Sequence, residues 1–277
     1  MRLPHDPENA AQFFDAFGDL EWDRHESTCA ARTSFAIHCD SLARFVHPGD
    51  LVLDAGAGPG RFTIELAKLG ARVHVGDVSQ VQLQLNAERV QAAGWEAAVV
   101  ARARLDICDL SAFPDDQFDA VVCFGGPISY VMDRADDALS ELCRVTRPGG
   151  HVLLSVMSRL GAIRRFLPQA LEEGREFGPA HIDTILQTGD LARETNRGHE
   201  CHLYRWSELS ELLARHGEIL DASSTNFVTA QHDEALAAAS DFEREQILRW
   251  ELELCREPGA LDGGTHILAA LRPFARA

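Results

Sequence analysis

The chain has 277 residues, 45% of them hydrophobic, and a formal net charge of −17 at pH 7. That is enough apolar chain to bury a sizeable core, and the acidity excludes an electrostatic grip on nucleic acid, which needs a basic face. Seven widely spaced cysteines without a C-x-x-C, no apolar run of membrane-spanning length and an N-terminus, MRLPHDPENA, without an apolar signal core predict a soluble, cytoplasmic protein with reduced thiols and no membrane partner.

Residues 9–26 place Phe13, Phe14, Phe17, Leu20 and Trp22 at mostly helical spacing between acids. A second amphipathic stretch, 30–46, carries Phe35, Leu42 and Phe45 before His47-Pro48-Gly49-Asp50 ends it. Residues 1–47 therefore read as a helical cap. Its aromatics mainly pack onto a sheet, and Phe13, Phe17 or Trp22 is placed to close over a ligand. Next comes LVLDAGAGPGRFTIELAKLG, residues 51–70: an apolar strand, Asp54 at its carboxyl end, a turn with Gly56, Gly58 and Gly60, and a helix stopped by Gly70. This is a βα unit of a doubly wound sheet, whose ligand lies just outside the strand ends. Glycine is needed there because the backbone must turn sharply and approach that ligand without a Cβ in between.

A second strand, Ala71 to Gly76, ends at Asp77, and Ser79-Gln80-Val81-Gln82 predicts a capping box in which Gln82 reaches back to the helix start. Asp77 stands 23 positions after Asp54, where a carboxylate, rich in lone pairs and free of donors, accepts both hydrogen bonds of a ribose diol. The third strand is predicted at Ala98 to Leu105, the fourth at Phe118 to Cys123 and the fifth at His151 to Met157; later strands are expected at Ile219 to Ala222 and Thr265 to Leu271. One long helical pattern covers 233–255. With no linker and no repeat, 1–277 reads as a single α/β domain.

Two nucleotide-cofactor readings compete. A nicotinamide oxidoreductase wants G-x-G-x-x-G, and the position of its third glycine is Arg61. Against it, LDAGAGPGRFTIELA, Gly76-Asp77, Asp106-Ile107, PDDQFDAVVCFGG and RVTRPGGHVLLSV resemble, in this order and at compatible spacing, the successive motifs of the class I (Rossmann-like) S-adenosylmethionine-dependent methyltransferases. The resemblance covers 50–157. It implies a seven-stranded, mostly parallel sheet with helices on both faces, a last strand antiparallel to the rest, and S-adenosyl-L-methionine converted to S-adenosyl-L-homocysteine. It also implies roles. Asp54 and the Gly56, Gly58 and Gly60 backbone would hold the methionine moiety, Asp77 the ribose, Val78 the adenine face, Asp106 the adenine amine and the Ile107 N–H a ring nitrogen. Cys123 to Gly125 would line the pocket beside the sulfonium.

Residues 158–205 exceed what the sheet needs and are expected to form the substrate side of the cap, with 206–277 completing the sheet. The segment carries Arg164, Arg165, Phe166, His181, Arg193, His199-Glu200-Cys201-His202, Tyr204 and Arg205. Adjacent His and Cys cannot all converge on one tetrahedral ion, so no metal is expected; the run instead offers one or two side chains to a pocket wall. His181, His202 and Tyr204 are the candidates for a base or orienter, needed only if the nucleophile must lose a proton, and Trp22, Tyr130 and Arg164 are candidate substrate-pocket residues. The expected function is methyl transfer to a small molecule by a monomer or homodimer, the acceptor atom being open. A nucleotide-cofactor oxidoreductase, a non-catalytic module that binds the same cofactor, and a thiol-assisted arsenic methyltransferase using Cys39 and Cys201 are the alternatives.

Overall fold

The computed structural model describes residues 2–24, 26–192, 194–195 and 198–276. Helices α1 (Pro7–Phe17), α2 (Leu20–Asp23) and α3 (Cys29–Phe45) precede the first strand. Then follow β1 (Leu51–Ala55), α4 (Arg61–Lys68), β2 (Arg72–Asp77), α5 (Gln80–Ala92), β3 (Val99–Arg104), β4 (Phe118–Cys123), the single turn α6 (Pro127–Tyr130), α7 (Ala135–Val145) and β5 (Thr146–Met157). Helices α8 (Arg159–Arg165), α9 (Leu167–Phe177) and α10 (Pro179–Thr188) lead to a small ribbon of β6 (Asp190–Leu191) and β7 (Cys201–His202). The remaining elements are α11 (Trp206–Leu213), β8 (Gly217–Ser224), α12 (Asp233–Ala238), α13 (Asp241–Leu254) and β9 (His266–Pro273).

Seven strands form one sheet in the order β3-β2-β1-β4-β5-β9-β8. β1 to β5 run parallel, and β9 runs antiparallel to both β5 and β8, as the resemblance implies. The central strands read as near-continuous apolar runs because both faces are covered. Their residues alternate between two cores: Leu53, Val121 and Leu154 meet Leu139, Leu142 and Leu213, whereas Val52, Val122 and Leu153 face Ile37, Leu42 and Leu66. Register pairs Ala55 with Gly76, so β1 and β2 end side by side, and the strand order reverses between β1 and β4. That reversal opens the crevice in which such sheets bind ligands.

Several local expectations change. The pattern over 9–26 is broken at Gly18, whose φ of +52° suits glycine and ends α1. The single helix expected over 233–255 is two, because Ser240 and Glu243 form a reciprocal capping box that starts α13 afresh. Ser79 caps α5 by accepting the Gln82 N–H at 3.0 Å, but the Gln82 side chain does not reach back. It donates instead to the Phe14 and Gly18 carbonyls, both at 3.0 Å, and so fastens the N-terminal helices to the sheet domain.

Candidate functional site

A cleft of about 820 Å³ lies at the carboxyl ends of β1, β2, β3 and β4. Its floor is the glycine turn. Gly56, Gly58 and Gly60 all have positive φ (+80°, +51° and +98°), and a Cβ on Gly56 would meet Pro127 Cγ at 2.3 Å. Asp77, 6% exposed, spans the turn: one carboxylate oxygen accepts the Gly58 N–H and the other the Ser79 N–H, each at 2.8 Å. Burial raises its pKa to about 6 against these two hydrogen bonds. Val78, Asp106, Ile107 and Gly125 also line the cleft, where sequence placed them.

Three of the expected cofactor residues stand behind the wall: Gly60, where a Cβ would meet Val90 and Asn86 rather than the cleft, Asp54 and Cys123. Asp54, 1% exposed, is not among the lining residues; its carboxylate accepts the Thr63 hydroxyl at 2.6 Å, and Asn86 in turn donates to Thr63 Oγ1 and to the Gly58 carbonyl. Burial raises the Asp54 pKa to about 7. Cys123 is fully buried in the core at the end of β4, and its neighbours Phe124 and Gly125 face the cleft instead.

The roof is the N-terminal segment, and here the break at Gly18 matters. It resets the helical phase, so α2 turns Glu21 and Arg24 into the cleft, paired at 2.6 Å, and sends Trp22 outward. Trp22 does not line the pocket; Arg61 lies 3.7 Å over its ring and Arg89 4.4 Å. Arg61 thus reaches from the turn to the cap, bonding the Trp22 carbonyl and Glu26. Glu21 is 7% exposed, and burial raises its pKa although Arg24 opposes this. Farther forward, His5 Nε2 meets Asp106 Oδ2 at 2.8 Å. Burial works to raise the Asp106 pKa, but His5 and the Cys108 N–H outweigh it and hold it low. His5, Asp106 and Cys108 bring potential ligand atoms within 4.8 Å of one another, yet burial and the Asp106 charge keep the Cys108 thiol protonated.

A second, larger cavity of about 1760 Å³ adjoins the cleft, and both are lined by Phe14, Glu21, Arg24, Gly125 and Tyr130. Phe13, Phe17, Met157 and Phe166 make its walls apolar; His38, His199, Asn226 and His266 supply polar points. His38 is tied through the wall. Its Nδ1 lies 2.8 Å from the Ser34 carbonyl, which can only accept, so Nδ1 carries the proton and Nε2 accepts from Ser155 Oγ at 3.1 Å. Ser155 Oγ in turn accepts the Gly125 N–H at 2.9 Å, a line of bonds that sets the loop after β4 against α3. Burial lowers the His38 pKa to about 4.

None of the three residues expected as base or orienter lies in either cavity. His202 is 1% exposed, clamped by Asp190 at 2.5 Å and Glu208 at 2.8 Å. Tyr204 is buried in the core beneath Arg2, and His181 packs 5.5 Å from the Phe177 ring beside Glu173. The reason is alternation: along 199–204 successive side chains point apart, so His199 enters the cavity and His202 and Tyr204 go to other partners. Arg164 is likewise turned away, donating to the Gly263 carbonyl at 2.9 Å over Phe227, while Arg165 lines the cavity. Arg193 lies outside the described residues. Cys39, on α3, and Cys201, packed on Met157, belong to different elements, and neither lines the two cavities. Glu21, Arg24, His38 and His266 were not distinguishable in the sequence; each sits in an ordinary amphipathic or strand context, and only the packing aims it inward.

Comparison with known proteins bears on the same segment. A family model described as "Methyltransferase domain" matches residues 52–150. The ubiquinone biosynthesis O-methyltransferase of Alkalilimnicola ehrlichii is 28% identical over 211 residues, 71% of this chain and 83% of that protein. The demethylmenaquinone methyltransferase of Thermobifida fusca is 33% identical over 159 residues, 57% of this chain and 65% of that one. Among solved structures, the cyclase SpnF superposes with a TM-score of 0.59 at 18% identity, each chain covered to 99%. The geranyl diphosphate C-methyltransferase from Streptomyces coelicolor, solved with S-adenosyl-L-homocysteine, superposes at 0.54 and 15% identity over 86% of this chain and 78% of that one. These two likenesses are of fold.

Proposed function

The chain belongs to the class I S-adenosylmethionine-dependent methyltransferases, and we propose that it holds this cofactor in the 820 Å³ cleft and its small-molecule acceptor in the cavity beside it. The observation that carries the reading is the buried Asp77 carboxylate beside a glycine turn at the switch point of the sheet, opening directly into a second, apolar cavity. Each Asp77 oxygen accepts one N–H and keeps a lone pair for a ribose hydroxyl. Val78 offers an apolar face to adenine, and Asp106 with the Ile107 N–H reads its edge. The Gly56–Gly58 backbone, held against Pro127 too closely for a Cβ at Gly56, offers its turn to the methionine tail, and Glu21, across from Gly58, faces its ammonium group. Asp54 acts through Thr63 and Asn86, holding the turn in shape rather than touching the ligand.

When bound, the cofactor supplies an electrophilic methyl group. The protein's task is to align an acceptor with it and exclude water. Gly125 and Tyr130 lie where the two spaces meet, and Phe13, Phe14 and Phe17 close them from the cap. Relatives named for ubiquinone biosynthesis and for demethylmenaquinone support an acceptor of apolar character. The reading includes one domain spanning 1–277 and a cytoplasmic monomer or homodimer without a nucleic-acid partner, the last supported by the charge of −17. Among the described residues no helix is long and apolar enough to cross a membrane.

Because the fold also occurs in a cyclase, the test must follow the methyl group as well as the binding. Calorimetry is expected to give 1:1 binding of S-adenosyl-L-homocysteine, and labelled S-adenosyl-L-methionine is expected to transfer its methyl to a small apolar acceptor. Absent binding, or a co-purifying NAD(P) fluorescence, overturns the assignment of the cleft. Binding without transfer across a broad acceptor panel makes the chain a cofactor-binding module.

A further inference from the structure

The larger cavity has a polar corner that holding a cofactor does not require. Tyr130, on the turn α6 at the junction of the two spaces, places its hydroxyl 2.7 Å from His199 Nε2. Phe13 stacks on His199 with ring centroids 4.9 Å apart, and Phe14 meets the Tyr130 ring edge-on at 5.0 Å. The pair is thus covered by aromatic rings from the cap. Burial pushes the Tyr130 phenol well above its ordinary range and, with help from the Arg24 charge, pulls the His199 imidazole down to about 4. At neutral pH the phenol keeps its proton and donates it to an unprotonated Nε2. The Tyr130 oxygen then retains lone pairs for a donor arriving from the cavity. Phe17, Met157 and Phe166 give the rest of the wall most of its apolar surface, with Phe166 half exposed at the rim, and His38, Arg165, Asn226 and His266 stand among them.

Resting on the methyl-transfer reading above, we propose that the acceptor is a hydroxylated, mainly apolar ring compound methylated on oxygen, with Tyr130 and His199 relaying the hydroxyl proton away. The acceptor O–H passes its proton to Tyr130 Oη while Tyr130 passes its own to His199 Nε2. The acceptor oxygen bonds to the methyl carbon, and the S–CH3 bond breaks with its electron pair left on sulfur. The imidazolium formed takes over the positive charge of the sulfonium and releases the proton to water on opening. An acceptor that is already ionised, or an amine with a free lone pair, has no need of this relay; a neutral hydroxyl does. Tyr130 is the catalytic residue of the two, since it touches the acceptor, and His199 acts through it.

2-Naphthol and its thiol analogue, naphthalene-2-thiol, separate these roles, because the thiol is largely ionised near pH 8 and the naphthol is not. With 2-naphthol the wild type is expected to form the methyl ether. Tyr130→Phe and His199→Gln are each expected to lower kcat by about 10²–10⁴-fold, with KM moving less than about tenfold. With the thiol the loss is expected to be under about tenfold. His199→Gln keeps an acceptor for Tyr130 but cannot take a proton, so it does not restore activity if the relay is real. Calorimetric binding of 2-naphthol to His199→Gln saturated with S-adenosyl-L-homocysteine is expected to stay within about threefold of wild type. Undiminished naphthol methylation in either variant, equal losses for naphthol and thiol, or a wild type that methylates neither naphthol nor its dihydroxy analogue while binding S-adenosyl-L-homocysteine overturns the proposal. Failure of the wild type to bind S-adenosyl-L-homocysteine is a different result: it removes the methyl-transfer reading itself, and this inference with it.

Discussion

Replacing Asp77 with alanine tests the cofactor cleft most directly. In the structure the carboxylate is 6% exposed, and each oxygen already accepts one backbone N–H at 2.8 Å. A ribose diol would add one hydrogen bond to each oxygen. Hydrogen bonds to a charged group contribute about 1.5–3 kcal/mol each, so losing two should cost about 3–6 kcal/mol of binding. At 1.4 kcal/mol per decade that is a rise of about 10²–10⁴ in the Kd for S-adenosyl-L-homocysteine, read by titration calorimetry at pH 8. Alanine also releases the Gly58 and Ser79 N–H groups, so the unliganded melting temperature should fall as well. Asp77→Asn separates the two effects: its amide keeps one acceptor, so the fold should suffer less than the binding. Since the Asp77 pKa lies at about 6, wild-type affinity should weaken as the pH falls below that value and the carboxylate loses acceptor capacity. An alanine variant that binds within threefold of wild type would falsify the ribose role.

Asp54, raised to about 7, destabilises the folded chain when ionised, and the corresponding stability is present at low pH and lost as the pH rises through 7. Asp54→Asn keeps an acceptor for Thr63 without the charge; its melting temperature should exceed wild type at pH 8.5, by an amount corresponding to no more than about 4 kcal/mol, and the gap should narrow to roughly 40% of that at pH 5 and close only below the ordinary aspartate value of 3.8. No gap at pH 8.5 refutes the buried-charge account. Gly56→Ala forces a Cβ to 2.3 Å from Pro127 Cγ at a φ of +80°, and a loss of about 2–5 kcal/mol is expected from strain and overlap together. Thermal unfolding measures it, and a native melting temperature counts against the tight cradle. Gln82→Ala removes both bonds to the Phe14 and Gly18 carbonyls; at about 1 kcal/mol each, the cap should open roughly 30-fold more often, and stopped-flow should show faster release of S-adenosyl-L-homocysteine. Unchanged release means that the cap does not gate the cleft.

The elements that build the sheet were legible because their signals are local. An apolar run ending in an acid, a glycine turn and a helix start at Ser79 need only neighbouring residues to be read, and the order of such units predicts a parallel sheet. The capping box at Ser240 was equally local and divides a helix that apolar spacing alone would run through. Residues lining the cleft beside Asp77 follow from the same motifs, since backbone geometry at a strand end dictates which way they face.

The acceptor side was not legible in this way. Trp22 and Glu21 are adjacent on one short helix, and which of them faces the ligand depends on a phase reset at Gly18 that leaves no mark in the hydrophobic pattern. The run His199 to His202 announces chemistry, but whether its first or last histidine enters the cavity is decided by the register of a two-residue ribbon with Asp190. His38 and His266 come from opposite ends of the chain, and Tyr130 meets His199 across 69 positions. By itself, then, the sequence determined the strands, the glycine turn and the acids at their ends, because those features are set by short-range backbone preferences. Only the tertiary structure decided which side chains share the second cavity, because that depends on how the cap and the insertion pack over the sheet, and packing is a property of distant residues brought together.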